Sequence, residues 1–200
     1  MSQSKSTGTT SKPVSTKDKI LKEGRSLLQK HGYNGFSFQD IADKIEIKKP
    51  SLYDHFGSKE ELMLGIIKRY SEAFDTWELS IAHFSPLEKI RKVFDIYYAF
   101  TSDKQKVCPI LALIVDMRDL SKDVQKEMRN FVDKWLVWLE ARILEGQKDG
   151  SIRQDMPAAM LAHFIYSQGM GCQFQSRLQN NPEMTLSSGD MLIAFIQRKV

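Results

Sequence analysis

The sequence predicts an all-α protein in which a small N-terminal helix-turn-helix domain precedes a larger helical domain. Three observations lead to this prediction: apolar residues recur at the helical period, the alternation typical of strands is scarce, and helix-capping residues precede most apolar runs. About nine helices account for the chain beyond residue 14. With 200 residues, of which 42% are apolar and 27% charged, the chain has enough material for a sizeable core.

The first three predicted helices are closely spaced. The first ends at Gly32, because glycine readily adopts the positive φ that closes a helix. The second opens with a capping box formed by Ser37 and Asp40, and the third carries Pro50 in its first turn, where a missing N–H costs nothing. These helices are predicted over about 16–31, 38–45 and 49–56.

The remaining helices also begin at recognisable start signals. Ser58, Ser85, Ser121 and Ser187 stand in capping positions, with Glu88 as the acid of a capping box at Ser85, and Pro109 opens a short apolar helix. These six helices are predicted over about 59–82, 86–101, 109–117, 122–148, 157–180 and 188–198.

One predicted helix is unusual because Met156–Ser176 carries no charged residue over 21 positions. That length is enough to span a bilayer. However, Pro157, His163 and several glutamine and serine residues interrupt the run. A helix buried on most sides by protein fits this pattern better than a membrane span.

The positive charge is concentrated at one end of the chain. The first 60 residues hold 11 Lys and Arg against 7 Asp and Glu, whereas the other 140 hold 18 of each. A basic end on a neutral body favours an N-terminal domain that binds a polyanion. The expected division is a disordered arm over 1–14, a basic helical domain over 15–60, and a neutral helical domain over 61–200.

The sequence gives little support to an enzyme, a metal-binding protein or a secreted protein. Cys108 and Cys172 are far apart, the four histidines are scattered, and no nucleophile–base cluster or phosphate-binding glycine loop is visible. Residues 1–13 are polar and lack the apolar core of a signal peptide. We therefore expect a cytoplasmic protein that is not an enzyme and needs no cofactor or metal.

The second and third predicted helices are short and joined by a tight turn, which is typical of DNA-binding helix-turn-helix domains. The third helix has a predicted length of about 12 Å, which suits the width of the major groove. With Leu52 and Phe56 packed inward, the outward face presents lysines and hydroxyls, which bind phosphates and base edges. The residues expected on or near this face are Lys48, Lys49, Ser51, Tyr53 and His55.

The stretch over residues 32–62 resembles the tetracycline-repressor (TetR) family of bacterial one-component regulators. The resemblance rests on FSFQDIA at 36–42, KKPSLYDHF at 48–56 and SKEEL at 58–62. One departure is visible in the turn between the second and third helices, where the family usually has glycine and this chain has Glu46. A residue with a side chain is expected to be strained there, and its charge lies close to the DNA.

The resemblance implies specific roles for residues in this stretch. It places Tyr53 and Lys59 on phosphates, gives His55 both a packing role and a backbone contact, and assigns base edges to the start of the third helix. Lysines of the N-terminal region add diffuse attraction. Without the family pattern, a merely solvated lysine face with Tyr53 in the core would be an equal alternative. The implied DNA-binding residues are Ser37, Gln39, Lys48, Lys49, Pro50, Ser51, Tyr53, His55 and Lys59.

The family resemblance also implies that residues 15–60 form a DNA-binding domain and that residues 61–200 form a ligand-binding and dimerisation domain with a ligand pocket in its body. Aromatic residues and methionine on the fourth to seventh predicted helices supply enough apolar surface to line one. Ordinary core packing is the alternative for each of them. The candidate pocket residues are Trp77, Phe94, Tyr97, Tyr98, Met117, Phe131, Trp135 and Trp138.

The last two helices are the predicted dimer interface. A stripe of small residues on the uncharged helix allows close helix approach, and the last helix has an apolar face; with their symmetry mates they form a four-helix interface. Burial inside a single chain is the alternative. The candidate interface residues are Ala162, Ile165, Gly169, Cys172, Met191, Leu192, Phe195 and Ile196.

The predicted function is a ligand-responsive transcription regulator that binds palindromic operator DNA as a homodimer. By the family pattern it is a repressor, released by a small apolar or aromatic effector. An alternative is a redox- or electrophile-sensing regulator acting through Cys108, which lies at a helix start where a thiol pKa is lowered; its apolar neighbours favour an inert thiol instead. A membrane-surface helical protein and an enzyme are the rivals of another class.

Overall fold

The computed structural model describes residues 15–103 and 106–198, and the predicted arm over 1–14 lies outside them. Within the described residues the chain forms nine α-helices, which confirms the all-α prediction. A 3-10 turn, Met117–Asp119, follows the sixth helix. The helices are α1 (Thr16–His31), α2 (Phe38–Lys44), α3 (Lys49–Tyr53), α4 (Lys59–Ser80), α5 (Pro86–Ser102), α6 (Pro109–Ile114), α7 (Lys122–Asp149), α8 (Ala158–Gln179) and α9 (Glu183–Ile196).

Local capping chemistry sets most of the helix starts. Ser37 and Ser85 each form the complete capping box predicted for them, in which the serine side chain accepts from the third backbone N–H of the helix and an acidic side chain accepts from the serine N–H. Ser121 caps α7, which ends at Gly150 with a φ of 81°. These helix starts could therefore be predicted from a few neighbouring residues.

Three helix boundaries differ from the prediction by three residues or more, and one of them is the end of α6, which lies at Ile114 instead of Met117. Helix α3 is five residues long instead of eight, although a hydrogen bond from Phe56 N to Leu52 O (3.0 Å) continues the turn. Helix α9 starts at Glu183, before the predicted Ser187, because Asn180 ends α8 with a φ of 50° and the proline that follows leads into the next helix. The Ser187 hydroxyl donates to the carbonyl of Glu183 within α9 and does not cap it.

The helices pack in two connected groups. Helix α2 packs between α1 and α3, and α1 packs on α4, which in turn packs on α7. Helices α5, α7, α8 and α9 form a bundle, and α6 contacts both α1 and α4. Two glycines allow α5 to approach closely: a Cβ at Gly169 would lie 2.5 Å from the ring of Tyr97, and one at Gly189 would lie 2.7 Å from Phe94. The buried apolar side chains of both groups form one continuous core.

The uncharged stretch lies within α8. It packs against α5, α7 and α9, as expected for a helix buried by protein. No helix in the described ranges is long and apolar enough to cross a membrane. The same ranges contain no group of three or more His, Cys, Asp or Glu side chains placed to hold a metal ion.

Candidate nucleic-acid interface

Helices α2 and α3 form a compact unit that holds one face of α3 outward. Leu52 is fully buried beneath α3. On the outer side, the ring of Tyr53 lies 5.0 Å from that of Phe38, so α3 is braced against α2 by an aromatic contact. The turn between them is closed by a hydrogen bond from Ile47 N to Ala42 O (3.0 Å). The packing therefore fixes which side of α3 faces the solvent.

The side chains predicted to bind DNA lie mostly on that outward side. Lys48, at the N-cap of α3, and Lys49, in its first turn, are exposed, and Ser51 is half-buried. Tyr53 keeps half of its surface exposed although its ring packs on Phe38. Five of the predicted residues at α3 and its two ends are exposed, and we call them the exposed set: Lys48, Lys49, Pro50, Tyr53 and His55.

Ser37 and Gln39 lie at the start of α2, and both have partners within that helix. The Ser37 hydroxyl donates to Asp40 Oδ2 (2.7 Å), and this bond holds the pKa of Asp40 below its usual value. The Gln39 amide donates to Asp43 Oδ1 (2.6 Å) and remains exposed. Ser37 therefore serves mainly as a helix cap. The exposed Gln39 amide can give up its hydrogen bond to Asp43 for one to DNA.

Lys59 has a structural role where a phosphate contact was predicted. Its ammonium group donates to the carbonyl oxygens of Tyr33 and Phe36, and it lies 4.7 Å and 4.2 Å from the centroids of the same two rings. Partial burial lowers the pKa of Lys59, while the nearby carboxylates of Asp116 and Asp40 oppose that shift. The lysine therefore ties the loop after α1 to the start of α4, and its contact with a phosphate stays a prediction.

Glu46 occupies the turn between α2 and α3 with a φ of 58°, in the left-handed region that favours glycine. Glu46→Gly is expected to raise the free energy of unfolding by about 1 kcal/mol, because glycine adopts this conformation without a Cβ penalty. It should also strengthen DNA binding, because it removes a carboxylate close to the polyanion. Urea unfolding and gel-shift titration measure the two effects.

Glu46→Ala is the matched control, since it removes the charge and keeps the Cβ atom. We expect it to share the gain in DNA affinity and to lack the gain in stability. Equal stability of the glycine and alanine variants would contradict the assignment of strain to this turn.

The DNA-binding helices are joined to the body through the segment around α6. The carboxylate of Asp116 accepts hydrogen bonds from Tyr33 N (2.7 Å) and from the Asn34 side chain (3.2 Å). Asn34 also donates to Asp119 Oδ2 (2.6 Å). The turn after α6 therefore holds the loop that follows α1 by several hydrogen bonds.

Two buried glutamines extend this connection to α8. The Gln29 side chain on α1 donates to Val107 O (2.8 Å), and the Cys108 N–H donates to Gln173 Oε1 (2.7 Å) on α8. Gln29 and Gln173 are almost completely buried. Neither residue was predicted from the sequence, because a glutamine within a helix carries no local signal that shows which backbone group it will contact.

The candidate pocket residues do not form one set. Trp77, Phe131, Trp135 and Trp138 pack together, and Tyr97 joins them through Trp135 with a centroid separation of 6.4 Å. Phe94 is fully buried next to Tyr97. Two of the candidates lie apart from this cluster. The Tyr98 hydroxyl donates to Glu183 on α9 (3.0 Å), and Met117 lies in the 3-10 turn that follows α6.

The predicted dimer stripe on α8 lies on the inward face of the helix. The four residues of the stripe are buried within the chain, and Gly169 lies so close to Tyr97 of α5 that a Cβ atom would not fit between them. The stripe comprises Ala162, Ile165, Gly169 and Cys172. This part of the prediction is therefore corrected: the stripe serves packing inside one chain. On α9, Leu192 and Ile196 are likewise buried, whereas Met191 and Phe195 are exposed.

The outward faces of α8 and α9 carry a large apolar patch, of which the sequence predicted the members on α9, Met191 and Phe195, and none of those on α8. Its members recur at helical spacing, and the rings of Phe164 and Phe195 contact each other across the two helices at 5.4 Å. A Cβ at Gly171, on the same side of α8, would meet nothing within 4 Å. Such a patch is typical of an interaction surface. We name it the α8–α9 face; it comprises Met160, Phe164, Phe174, Leu178, Met191 and Phe195.

Cys108 is buried at the start of α6. Burial raises the pKa of its thiol, although a hydrogen bond with the Tyr70 hydroxyl, 3.4 Å from Sγ, opposes that shift. Reactive cysteines are exposed and have lowered pKa values. The environment of Cys108 therefore gives no support to the redox-sensing alternative.

Comparison with known proteins agrees with this geometry. The model of bacterial regulatory proteins of the tetR family matches residues 20–66, and a tetracyclin repressor-like C-terminal domain matches residues 86–187. The HTH-type transcriptional repressor DhaR of Mycobacterium sp. (strain GP1) is 27% identical over 166 residues, which cover 82% of this chain and 83% of that protein. The HTH-type transcriptional repressor KstR2 of Mycolicibacterium smegmatis is 28% identical over 168 residues, covering 78% and 77%.

Solved structures show the same fold. A TetR-family regulator from Agrobacterium tumefaciens superimposes with a TM-score of 0.86 at 22% identity, and one from Legionella pneumophila with 0.82 at 28% identity; each comparison covers 91% of this chain and 97% of the other. The C-terminal model alone matches more than half of the chain. The chain therefore belongs to the TetR family, whose members are DNA-binding transcription regulators and not enzymes.

Proposed function

We propose that this chain is a cytoplasmic repressor that binds operator DNA as a homodimer and is released when a small apolar or aromatic molecule binds in its body. The observation that carries the proposal is the exposed set on α3, where lysines and the Tyr53 hydroxyl project from a braced helix. Lysines and hydroxyls are the groups that contact phosphates and base edges in the major groove. The names of the relatives DhaR and KstR2 support repression as the direction of the effect.

The α8–α9 face supports the homodimer. A helical surface of this kind meets the same surface of a second copy across a two-fold axis, which gives a four-helix interface. Pairing through α8 and α9 leaves both α3 helices free to read one half-site each. The operator is then an inverted repeat, because its symmetry follows that of the protein.

The hydrogen bonds around α6 support a link between body and DNA-binding domain. Gln173 lies on α8, and its contact with Cys108 connects the bundle to the segment that also holds Gln29 of α1. A ligand that binds one arrangement of the bundle more tightly than another shifts the population toward that arrangement, to the extent of the difference in affinity. The two α3 helices then lie at the spacing of the favoured arrangement. Release of DNA then needs no contact between ligand and operator.

Selection of bound duplexes from a random DNA pool, using the full chain at moderate salt, tests the proposal. We expect recovered sequences to contain two similar half-sites in inverted orientation at a fixed spacing. Recovery of single half-sites would overturn the homodimer, and a pool that shows no enrichment would overturn sequence-specific DNA binding itself.

A further inference from the structure

The C-terminal end of α1 is held by groups from the body of the chain. The last four carbonyls of an α-helix have no partner within the helix. At this end of α1, the Gln29 carbonyl accepts from Val107 N (3.3 Å). The Lys30 carbonyl accepts from the Arg177 guanidinium on α8 (2.7 Å), which also places a positive charge at the negative end of the helix dipole. The body therefore caps the helix on which α2, and through it α3, is packed.

Helix α8 carries its contacts with this region and its exposed apolar residues on adjacent sides of its last two turns. Gln173 and Arg177 are four residues apart and therefore share one side of the helix. Gln173 is buried and accepts from Cys108 N (2.7 Å), in the segment before α6. Phe174 and Leu178, also four residues apart, lie on the next side and belong to the α8–α9 face. The same short stretch of α8 thus contacts α1 and carries part of the surface proposed to meet a second copy.

The end of α8 is itself fixed by the turn that follows it. The Ser176 hydroxyl donates to Asn181 O (2.9 Å), and Asn181 N donates to Ser176 O (3.0 Å). Because Ser176 is buried and immediately precedes Arg177, these bonds hold the backbone from which the arginine projects. Arg177 can therefore act as a fixed link between α8 and α1, which a side chain on a loose helix end could not do.

The link through Arg177 differs from the links through α6. Asp116 accepts from Tyr33 N (2.7 Å), just beyond α1, but this contact reaches the α8–α9 face only through further packing between helices. Arg177 reaches that face along one continuous helix. In a dimer, the separation of the two α3 helices depends on the path from the α8–α9 face to α1. The stiffest path therefore has the largest influence on that separation.

We propose that Arg177 is a positioning residue that sets the spacing between the two half-sites of the operator. Its guanidinium holds α1, and with it α3, at one distance and angle from the dimer axis. The inference rests on the proposed homodimer and its DNA-binding function, and it names a residue that determines operator specificity without touching DNA. Without the bond to Lys30 O, each α3 still reads its half-site, but the two helices take a wider range of separations.

A series of operators that differ only in the distance between the two selected half-sites tests the inference. Each added base pair moves one half-site by about 3.4 Å and rotates it by about a tenth of a turn. We expect the unaltered chain to bind one spacing at least about tenfold more tightly than spacings one base pair longer or shorter. In Arg177→Ala, affinity for that spacing should fall about tenfold, whereas affinity for its neighbours and for a single half-site should change less than about twofold.

The shape of this profile separates positioning from a general loss of structure. Arg177→Lys keeps a charged donor and should restore much of the preference for one spacing. Arg129→Ala removes an exposed arginine from α7 and is the control for net charge, so its profile should match that of the unaltered chain. Circular dichroism and the Tm establish that each variant is folded. An unchanged profile in Arg177→Ala, or an equal loss on every duplex including the single half-site, would overturn the inference.

A distance measurement without DNA separates this inference from the proposed function. Spin labels at Asp54→Cys, the exposed C-cap of α3, report the separation of the two α3 helices by double electron–electron resonance. Burial raises the pKa of Cys108 and Cys172, so the native thiols react slowly with the label. We expect a narrow distance distribution with Arg177 present and a clearly broader one in Arg177→Ala.

Distributions of equal width, or no distance between two labels, would overturn the role of Arg177 even in a chain that binds its operator. Broadening by Arg177→Ala in a chain that selects no DNA sequence would support the positioning role and overturn the proposed function alone.

Discussion

Replacing Leu178 by aspartate is expected to convert the homodimer into a monomer and to weaken operator binding at least about 100-fold. Leu178 lies on the α8–α9 face with 82% of its surface exposed in the single chain. In the proposed dimer its surface is covered, and each interface then holds two carboxylates without partners. The loss of DNA affinity follows because a monomer engages one half-site at a time. Light scattering after size-exclusion chromatography gives the mass, and gel-shift titration gives the affinity.

Leu79→Asp is the matched control. Leu79 on α4 is similarly exposed, with 76% of its surface accessible, and it lies outside the α8–α9 face. We expect this variant to remain dimeric and to bind the operator as the unaltered chain does. A dimeric Leu178→Asp variant, or a native chain that is already monomeric at micromolar concentration, would contradict the proposed interface.

Tyr53→Phe is expected to weaken DNA binding about 10- to 100-fold for each half-site, and by a similar factor for operator and unrelated DNA. The reason is that a hydroxyl bound to a charged phosphate contributes about 1.5–3 kcal/mol and carries no sequence information. The substitution keeps the ring that packs on Phe38 at 5.0 Å, so the Tm should stay within about a degree of its original value. Affinity measured at several salt concentrations on both kinds of DNA tests this expectation.

Lys49→Ala is expected to act differently, because Lys49 is assigned to base edges. The loss should be larger on the selected operator than on unrelated DNA, with a relaxed preference at one base position in each half-site. Lys148→Ala, near the far end of α7, removes an exposed lysine from the body and serves as the control for net charge. A Lys49→Ala variant that cannot be told apart from this control would remove Lys49 from the interface.

Much of the fold was predictable because it depends on neighbouring residues. The capping boxes at Ser37 and Ser85 formed as predicted, and α1 has the predicted bounds. The exposed side of α3 was predictable as well, since the apolar spacing of Leu52 and Phe56 leaves only one side of so short a helix free. Local hydrogen bonds and helical periodicity are both contained in a few consecutive residues.

The role of Lys59 could not be predicted in the same way. A lysine after a helix-turn-helix fits a phosphate contact, and the sequence does not show that the carbonyls of Tyr33 and Phe36 lie within reach. Likewise, Gln29 and Gln173 have partners 78 and 65 residues away in the chain. Such pairings exist only after α1, α6 and α8 have packed together.

The sequence alone determined that this chain is helical, that its basic N-terminal domain binds DNA, and that α8 is apolar. The tertiary structure decided which side of α8 faces outward. The uncharged stretch of α8 has no charged residue on either side of the helix. The spacing of its apolar residues therefore cannot distinguish the small residues on the side of Tyr97 from the large residues that remain exposed. The side of α8 that faces inward is set by α5, α7 and α9, which pack closely only against the side that carries small residues. The side with large residues, Phe164, Phe174 and Leu178, therefore remains on the surface.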